Sequence, residues 1–227
     1  MGLNVSFAAN GSDCSGYFSP VDGGAPGVIV IQEWWGLNDH VRSIVDRFAA
    51  AGFSALAPDL YRGATTTEPD EAGKLMMSLN LGQAAKDISA AADFLAASDD
   101  VTRDRLGIVG FCMGGALALM AATTRPDVIG ACAPYYGVIP FLDPVPDWAA
   151  ITAVVRGHFA SEDTMFPPDK VGALVDTLKE LGVDATLTVH EGAQHAFFND
   201  TRPEVYDAEL AASCWDDTVA LFRSTLV

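Results

Sequence analysis

The chain has 227 residues, 50% of them hydrophobic and 19% charged, a globular profile long enough to bury a core without staples. Its 30 acidic and 13 basic side chains leave a formal charge of −17, which argues against nucleic acid or an anionic membrane as a partner. If the ligand is itself anionic, a local arginine must reverse the sign of the field near the site. Cys14, Cys112, Cys132 and Cys214 lie far apart, with no Cys-x-x-Cys pair and no metal-type spacing. A reducing, cytoplasmic compartment is therefore expected, with no disulfide framework, no metal and no cofactor. Residues 1–13 hold no apolar signal core, and no run approaches about 18 apolar residues, so neither a secretion signal nor a membrane span is expected. Met1-Gly2 with Ser6 matches a short myristoylation pattern, but Leu3-Asn4-Val5-Ser6-Phe7 alternates like a first strand.

In chain order, residues 3–8 and 14–20 read as opening strands around a turn at Asn10-Gly11. Gly27–Ile31 is a continuous β-branched run, as a strand buried on both faces requires. A helix starts near Asn38-Asp39, carries Val41, Ile44, Val45 and Phe48 on one face, and stops at Gly52. Phe53–Ala57 is the next strand, closed by Pro58, and residues 59–70 form a loop. Helices follow at about 71–79 and 83–97, then a strand at 106–109 and a helix over 115–122. Val128–Ala133 and Ile151–Gly157 are strands, 168–181 a helix ended by Gly182, Ala185–Val189 a strand, and 203–226 a helix. Strand and helix alternate throughout, which predicts one α/β domain over residues 1–227. Its sheet is mostly parallel, with helices on both faces and ligands at the carboxyl ends of the strands.

The strand at 106–109 runs into Gly110-Phe111-Cys112-Met113-Gly114 and then a helix. Strand, tight turn and helix with a nucleophile at the tip make a nucleophile elbow carrying cysteine in place of serine. The helix N-terminus and the free amide of Met113 both favour negative charge there. A nucleophile needs a base, and the base an orienting acid. Of four histidines, His40 falls at a helix start, His158 follows a strand and His190 ends one. His195 lies in the turn between the last strand and the last helix, where the order nucleophile, acid, histidine requires its base. Asp163 and Glu162, after the penultimate strand, both qualify as the acid. The second oxyanion amide is expected in the loop after Gly27–Ile31, at Trp34. In that loop Glu33, beside a tryptophan pair, is placed to share a proton with Cys112.

Together Gln32-Glu33-x-x-Gly36, Ala57-Pro58-Asp59-Leu60-Tyr61, Gly110-Phe111-Cys112-Met113-Gly114-Gly115, Tyr135-Tyr136-Gly137, Asp163 and Gly192-x-x-His195-x-Phe197 resemble the dienelactone hydrolase (carboxymethylenebutenolidase) family of α/β hydrolases. The resemblance spans nearly the whole chain and implies a three-layer α/β-hydrolase sandwich. It implies Cys112 as nucleophile, His195 as base, Asp163 as orienting acid and Glu33 as the carboxylate that holds the resting thiol. Arg202, Arg62, Tyr135 and Phe197 are the expected substrate contacts.

The chain departs from the family where the substrate carboxylate is held. It has no arginine in Glu68–Leu75, and it has Asn199 four residues after the histidine. Arg62 and Arg202 are the nearest replacements. The expected function is cysteine-dependent hydrolysis of a small, anionic ester or lactone, plausibly dienelactone to maleylacetate, by a monomer or homodimer. A general carboxylesterase or thioesterase is the first alternative, and a non-catalytic binding protein the second.

Overall fold

The computed structural model describes residues 2–9, 11–137 and 146–227. Two strands, β1 (Leu3–Ala9) and β2 (Ser12–Ser19), pair antiparallel; Asn10 of the expected turn lies outside the described residues. The chain continues through β3 (Gly27–Ile31), α1 (Asp39–Ala50), β4 (Ser54–Pro58), α2 (Pro69–Ser78) and α3 (Leu81–Ala96). The central unit is β5 (Leu106–Phe111) with α4 (Met113–Thr124), followed by β6 (Ile129–Tyr135). Beyond it lie β7 (Val154–Ala160), α5 (Pro168–Glu180), β8 (Ala185–His190) and α6 (Ala208–Leu226). The strands form one sheet in the order β1-β2-β4-β3-β5-β6-β7-β8, parallel from β4 onward.

Local chemistry explains most boundaries. Asn38 caps α1 by accepting from the amide of Val41 at 3.1 Å, and Gly52 leaves the helix at φ +91°. Every residue of β3, β4, β5 and β6 is buried, which is why these strands read as unbroken apolar runs instead of alternating ones. α4 is buried along all but Ala116 and Thr124, as befits a helix laid against the middle of the sheet. α1 and α6 pair over one face: the Phe48 ring lies 4.5 Å from Trp215 and 5.8 Å from Phe222, contacts worth about 0.5–1.5 kcal/mol each beyond their buried area. α3 and α4 meet on the opposite face.

Several boundaries differ from the pattern reading by a few residues, and two of them bear on the site. β7 begins at Val154, so His158 is inside the strand and does not follow it. The last helix begins at Ala208, not 203, because the Asp207 side chain caps Leu210 at 3.0 Å. The turn ahead of it bonds back to the His195 loop, Asp207 donating to the carbonyl of Phe197 at 3.0 Å. Helical periodicity continues into that turn, but Pro203 and the cap exclude its backbone from the helix.

Candidate active site

Cys112 joins β5 to α4 with φ 55° and ψ −123°, a conformation L-residues hold only when their surroundings force it. Close packing does the forcing. A Cβ on Gly110 would run into the carbonyl of Gly114, and one on Gly114 would lie 2.5 Å from the carbonyl oxygens of Ile31 and Gln32. The elbow is thus wedged against the end of β3, and Cys112 donates its amide to Tyr135 of β6 at 3.0 Å. Tyr136 (φ 36°) and Ala196 (φ 67°) carry the same kind of strain, so three of the four positive-φ non-glycine residues described surround one point.

That point is the meeting of three loops. Nδ1 of His195 lies 2.6 Å from Oδ2 of Asp163, while Oδ1 of Asp163 accepts the amides of Met165 at 2.8 Å and Phe166 at 3.0 Å. Burial of Asp163 opposes its charge, but these hydrogen bonds outweigh it and hold the carboxyl below its ordinary range. Burial likewise opposes charge on His195, yet its hydrogen bond to Asp163 and the neighbouring Cys112 push the imidazole up to about 10. The ring is held between Tyr136 and Phe166, at 5.1 and 5.6 Å between centroids. Carboxylate and imidazole are thus hydrogen-bonded, and the imidazole shares its cavity with the Cys112 thiol. Among the described residues neither the amide of Met113 nor that of Trp34 bonds a backbone carbonyl, so both are available to an oxyanion.

The Dienelactone hydrolase family model matches residues 16–226. The chain belongs to the dienelactone hydrolase family. It is 37% identical to the protein named usf of Aquifex pyrophilus, over 100% of both chains. It is 33% identical, again over 100% of both, to an Aquifex aeolicus (strain VF5) protein named "Putative carboxymethylenebutenolidase". A solved structure titled "Putative Dienelactone Hydrolase", from Klebsiella pneumoniae subsp. pneumoniae MGH 78578, superposes with a TM-score of 0.88 at 28% identity over 98% of each chain. The protein is therefore a hydrolase of ester or lactone bonds on the α/β-hydrolase fold.

Within this dienelactone hydrolase family member, Glu33 is where the sequence reading puts it but is differently engaged. Its oxygens accept from Tyr136 Oη at 3.3 Å and from Asn199 Nδ2 at 2.6 Å. The expected contact holding the resting thiol is replaced by two neutral donors, neither of which the residue patterns single out as a partner. Asn199, noted only as a departure from the family, is fully buried and donates to the Glu33 carboxylate.

A cavity of about 320 Å³ opens above Cys112, between Trp34, Trp35, His195 and Arg202. It is at the small end of ligand pockets. Arg202 is the only lysine or arginine among the described lining residues, which also include Glu33 and Glu162. Its Nη2 bonds Glu204 at 2.7 Å and its guanidinium lies 5.9 Å from the Trp35 ring, so it is half-buried and oriented.

The other expected substrate contacts lie elsewhere. Arg62 pairs with buried Asp87 at 2.7 Å and lines a separate cavity beside α3. Tyr135 turns into the core, where its hydroxyl bonds the Cys214 carbonyl and Thr218, both at 2.7 Å. Phe197 is fully buried against Tyr135 and Tyr136. In each case the local motif identifies the segment, whereas strand and turn direction point the side chain away from the cavity.

Proposed function

We propose that this enzyme cleaves small esters or lactones with Cys112 as a covalent nucleophile. The observation that carries the reading is the 2.6 Å Asp163–His195 pair, which lines the foot of the cavity together with Cys112. The thiol proton passes to His195 and the sulfur attacks the substrate carbonyl carbon. The resulting oxyanion lies against the amides of Met113 and Trp34, each such donor being worth about 10²- to 10³-fold in rate. Collapse breaks the ester C–O bond, and the imidazolium gives its proton to the departing oxygen. Water then loses a proton to His195 as it attacks the thioester. The C–S bond breaks, the acid leaves, and the proton returns to sulfur. Glu33 acts through Tyr136 and Asn199, fixing the wall behind Cys112.

For substrate we propose an anionic lactone, dienelactone opened to maleylacetate, with Arg202 meeting the carboxylate. The cavity's single arginine supports this, and its size suits a small ring. A second reading, a general esterase for neutral substrates, is favoured by a different observation: Arg202 already pairs with Glu204, and two further carboxylates line the cavity. Steady-state kinetics on dienelactone and p-nitrophenyl acetate decide between them. Under the anionic reading Arg202→Ala raises KM for the lactone by about 10-fold or more, as loss of one charge-assisted hydrogen bond would, and leaves the neutral ester unchanged. Equal effects on both remove Arg202 from carboxylate binding.

A further inference from the structure

Outside the cavity, three chemically reactive side chains converge from three separate elements: His158 inside β7, His190 at the end of β8 and Cys214 on α6. β7 and β8 run parallel, with His158 opposite Thr188 and Ala160 opposite His190. Residues 158 and 190 thus fall on one face of adjacent strands, by the two-residue period of a strand. Nδ1 of His158 lies 3.2 Å from Nε2 of His190, and Sγ of Cys214 lies 3.5 Å from the same Nε2. One donor atom from each residue lies within 4.8 Å of the others.

Hydrogen bonding alone serves this cluster poorly. A neutral imidazole nitrogen offers either one N–H or one lone pair. Nε2 of His190 therefore makes one full hydrogen bond, with His158 or with Cys214, and must divide or withhold the other. A cation takes a lone pair from each of the three. Around a tetrahedral zinc with bonds of about 2.0–2.1 Å to nitrogen and about 2.3 Å to sulfur, ligands stand about 3.3 Å (N···N) and about 3.6 Å (N···S) apart. The separations of 3.2 and 3.5 Å are close to both. The donor types agree as well, since two imidazoles and a thiolate suit a borderline-soft ion and not magnesium or calcium.

We propose that His158, His190 and Cys214 bind a borderline-soft divalent cation, Zn²⁺ foremost, which ties β7, β8 and α6 together. A route of access is at hand, and water can take the fourth position. His158 and exposed Asp217 line a cavity of about 580 Å³, and the Asp217 charge acts on both His190 and Cys214. Burial keeps the Cys214 thiol protonated, up to about 12, so the cation has to displace that proton on entry. The tie would sit immediately before the two loops that carry Asp163 and His195.

The test uses the full chain, stripped with a chelator, dialysed and titrated with Co²⁺ as a spectroscopic stand-in for Zn²⁺. One cobalt per chain is expected, with a near-ultraviolet thiolate-to-cobalt charge-transfer band and the intense visible bands of four-coordination, both removed by excess Zn²⁺. The catalytic line also holds a thiol, an imidazole and a carboxylate, so Cys112→Ser is titrated alongside and keeps the band. Cys214→Ser loses it and binds more than about 100-fold more weakly, since loss of even an outer partner costs about 10- to 100-fold. His190→Gln, at a half-buried position, weakens binding in the same way and serves if the serine variant fails to fold. Zn²⁺ raises the Tm of the wild type and not of either ligand variant. No saturable cobalt uptake by the wild type overturns the proposal. So does a band that vanishes in Cys112→Ser and survives in Cys214→Ser.

Discussion

Strands β7 and β8 each feed two groups of side chains, and the two groups differ in one member. Past the strand ends, His195 meets a cysteine and a carboxylate; within the sheet, His190 meets a cysteine and a second imidazole. Asp163 holds one proton on Nδ1 of His195 and pushes that ring up to about 10, making it a proton acceptor aimed at Cys112. Burial and the neighbouring His190 push His158 down to about 4, leaving a neutral ring with a free lone pair. The backbones differ too. Cys112 is strained and opens the helix α4, whereas Cys214 lies inside regular helix α6. The identity of the third group, more than the cysteine–histidine pairing itself, decides whether such a cluster moves protons or offers lone pairs.

The widest separation between the two groups should appear in turnover. Cys112→Ala is expected to lose at least about 10⁴-fold in kcat, in line with the loss of a triad nucleophile elsewhere. Cys214→Ser is expected to stay within about 2-fold, as a residue outside the reacting line should. Comparable losses in both would erase the distinction. Next, His195→Ala should lower kcat by about 10²- to 10⁴-fold and His190→Ala far less, read by steady-state assay with any cleaved ester.

A smaller but site-resolved contrast comes from alkylation. Burial pushes the Cys14 thiol up to about 11 and the Cys214 thiol up to about 12, while Cys112 has an imidazole beside it. Iodoacetamide followed by peptide mass mapping should label Cys112 at least about 100-fold faster than either, because the thiolate is the nucleophile. Uniform labelling would deny Cys112 its activation.

The smallest effect is on stability. His195 is raised from 6.5 to about 10 on folding, so its contribution is complete below pH 6.5 and disappears as the pH climbs through about 10. Urea midpoints of the wild type and His195→Gln should therefore converge across that window. A gap that widens with pH would have the sign wrong.

Much of the proposed catalytic group was legible in the residues because it depends on local rules. Gly27–Ile31 reads as a buried strand and is one, residue for residue. The glycines at 110 and 114 announce a turn that nothing with a Cβ could make. His195 and Asp163 follow their strands in the order the elbow demands. Substrate contacts were less legible. Arg62 sits in a recognisable segment, yet the buried charge of Asp87 claims it. Tyr135 and Tyr136 are adjacent and alike, but Tyr135 ends β6 while Tyr136 turns out of it at φ 36°, so one hydroxyl goes to α6 and the other to Glu33.

The sequence alone determined the order of elements, the sharpness of the elbow and the identity of the thiol at its tip, since each depends on neighbours a few residues away. Spacing argued against a metal because it looks for ligands close together along the chain. Only the folded molecule brought His158, His190 and Cys214 into one cluster, and only it gave Glu33 to Asn199. Strand register and helix docking decide which distant side chains share a few ångströms, and no local pattern encodes that choice.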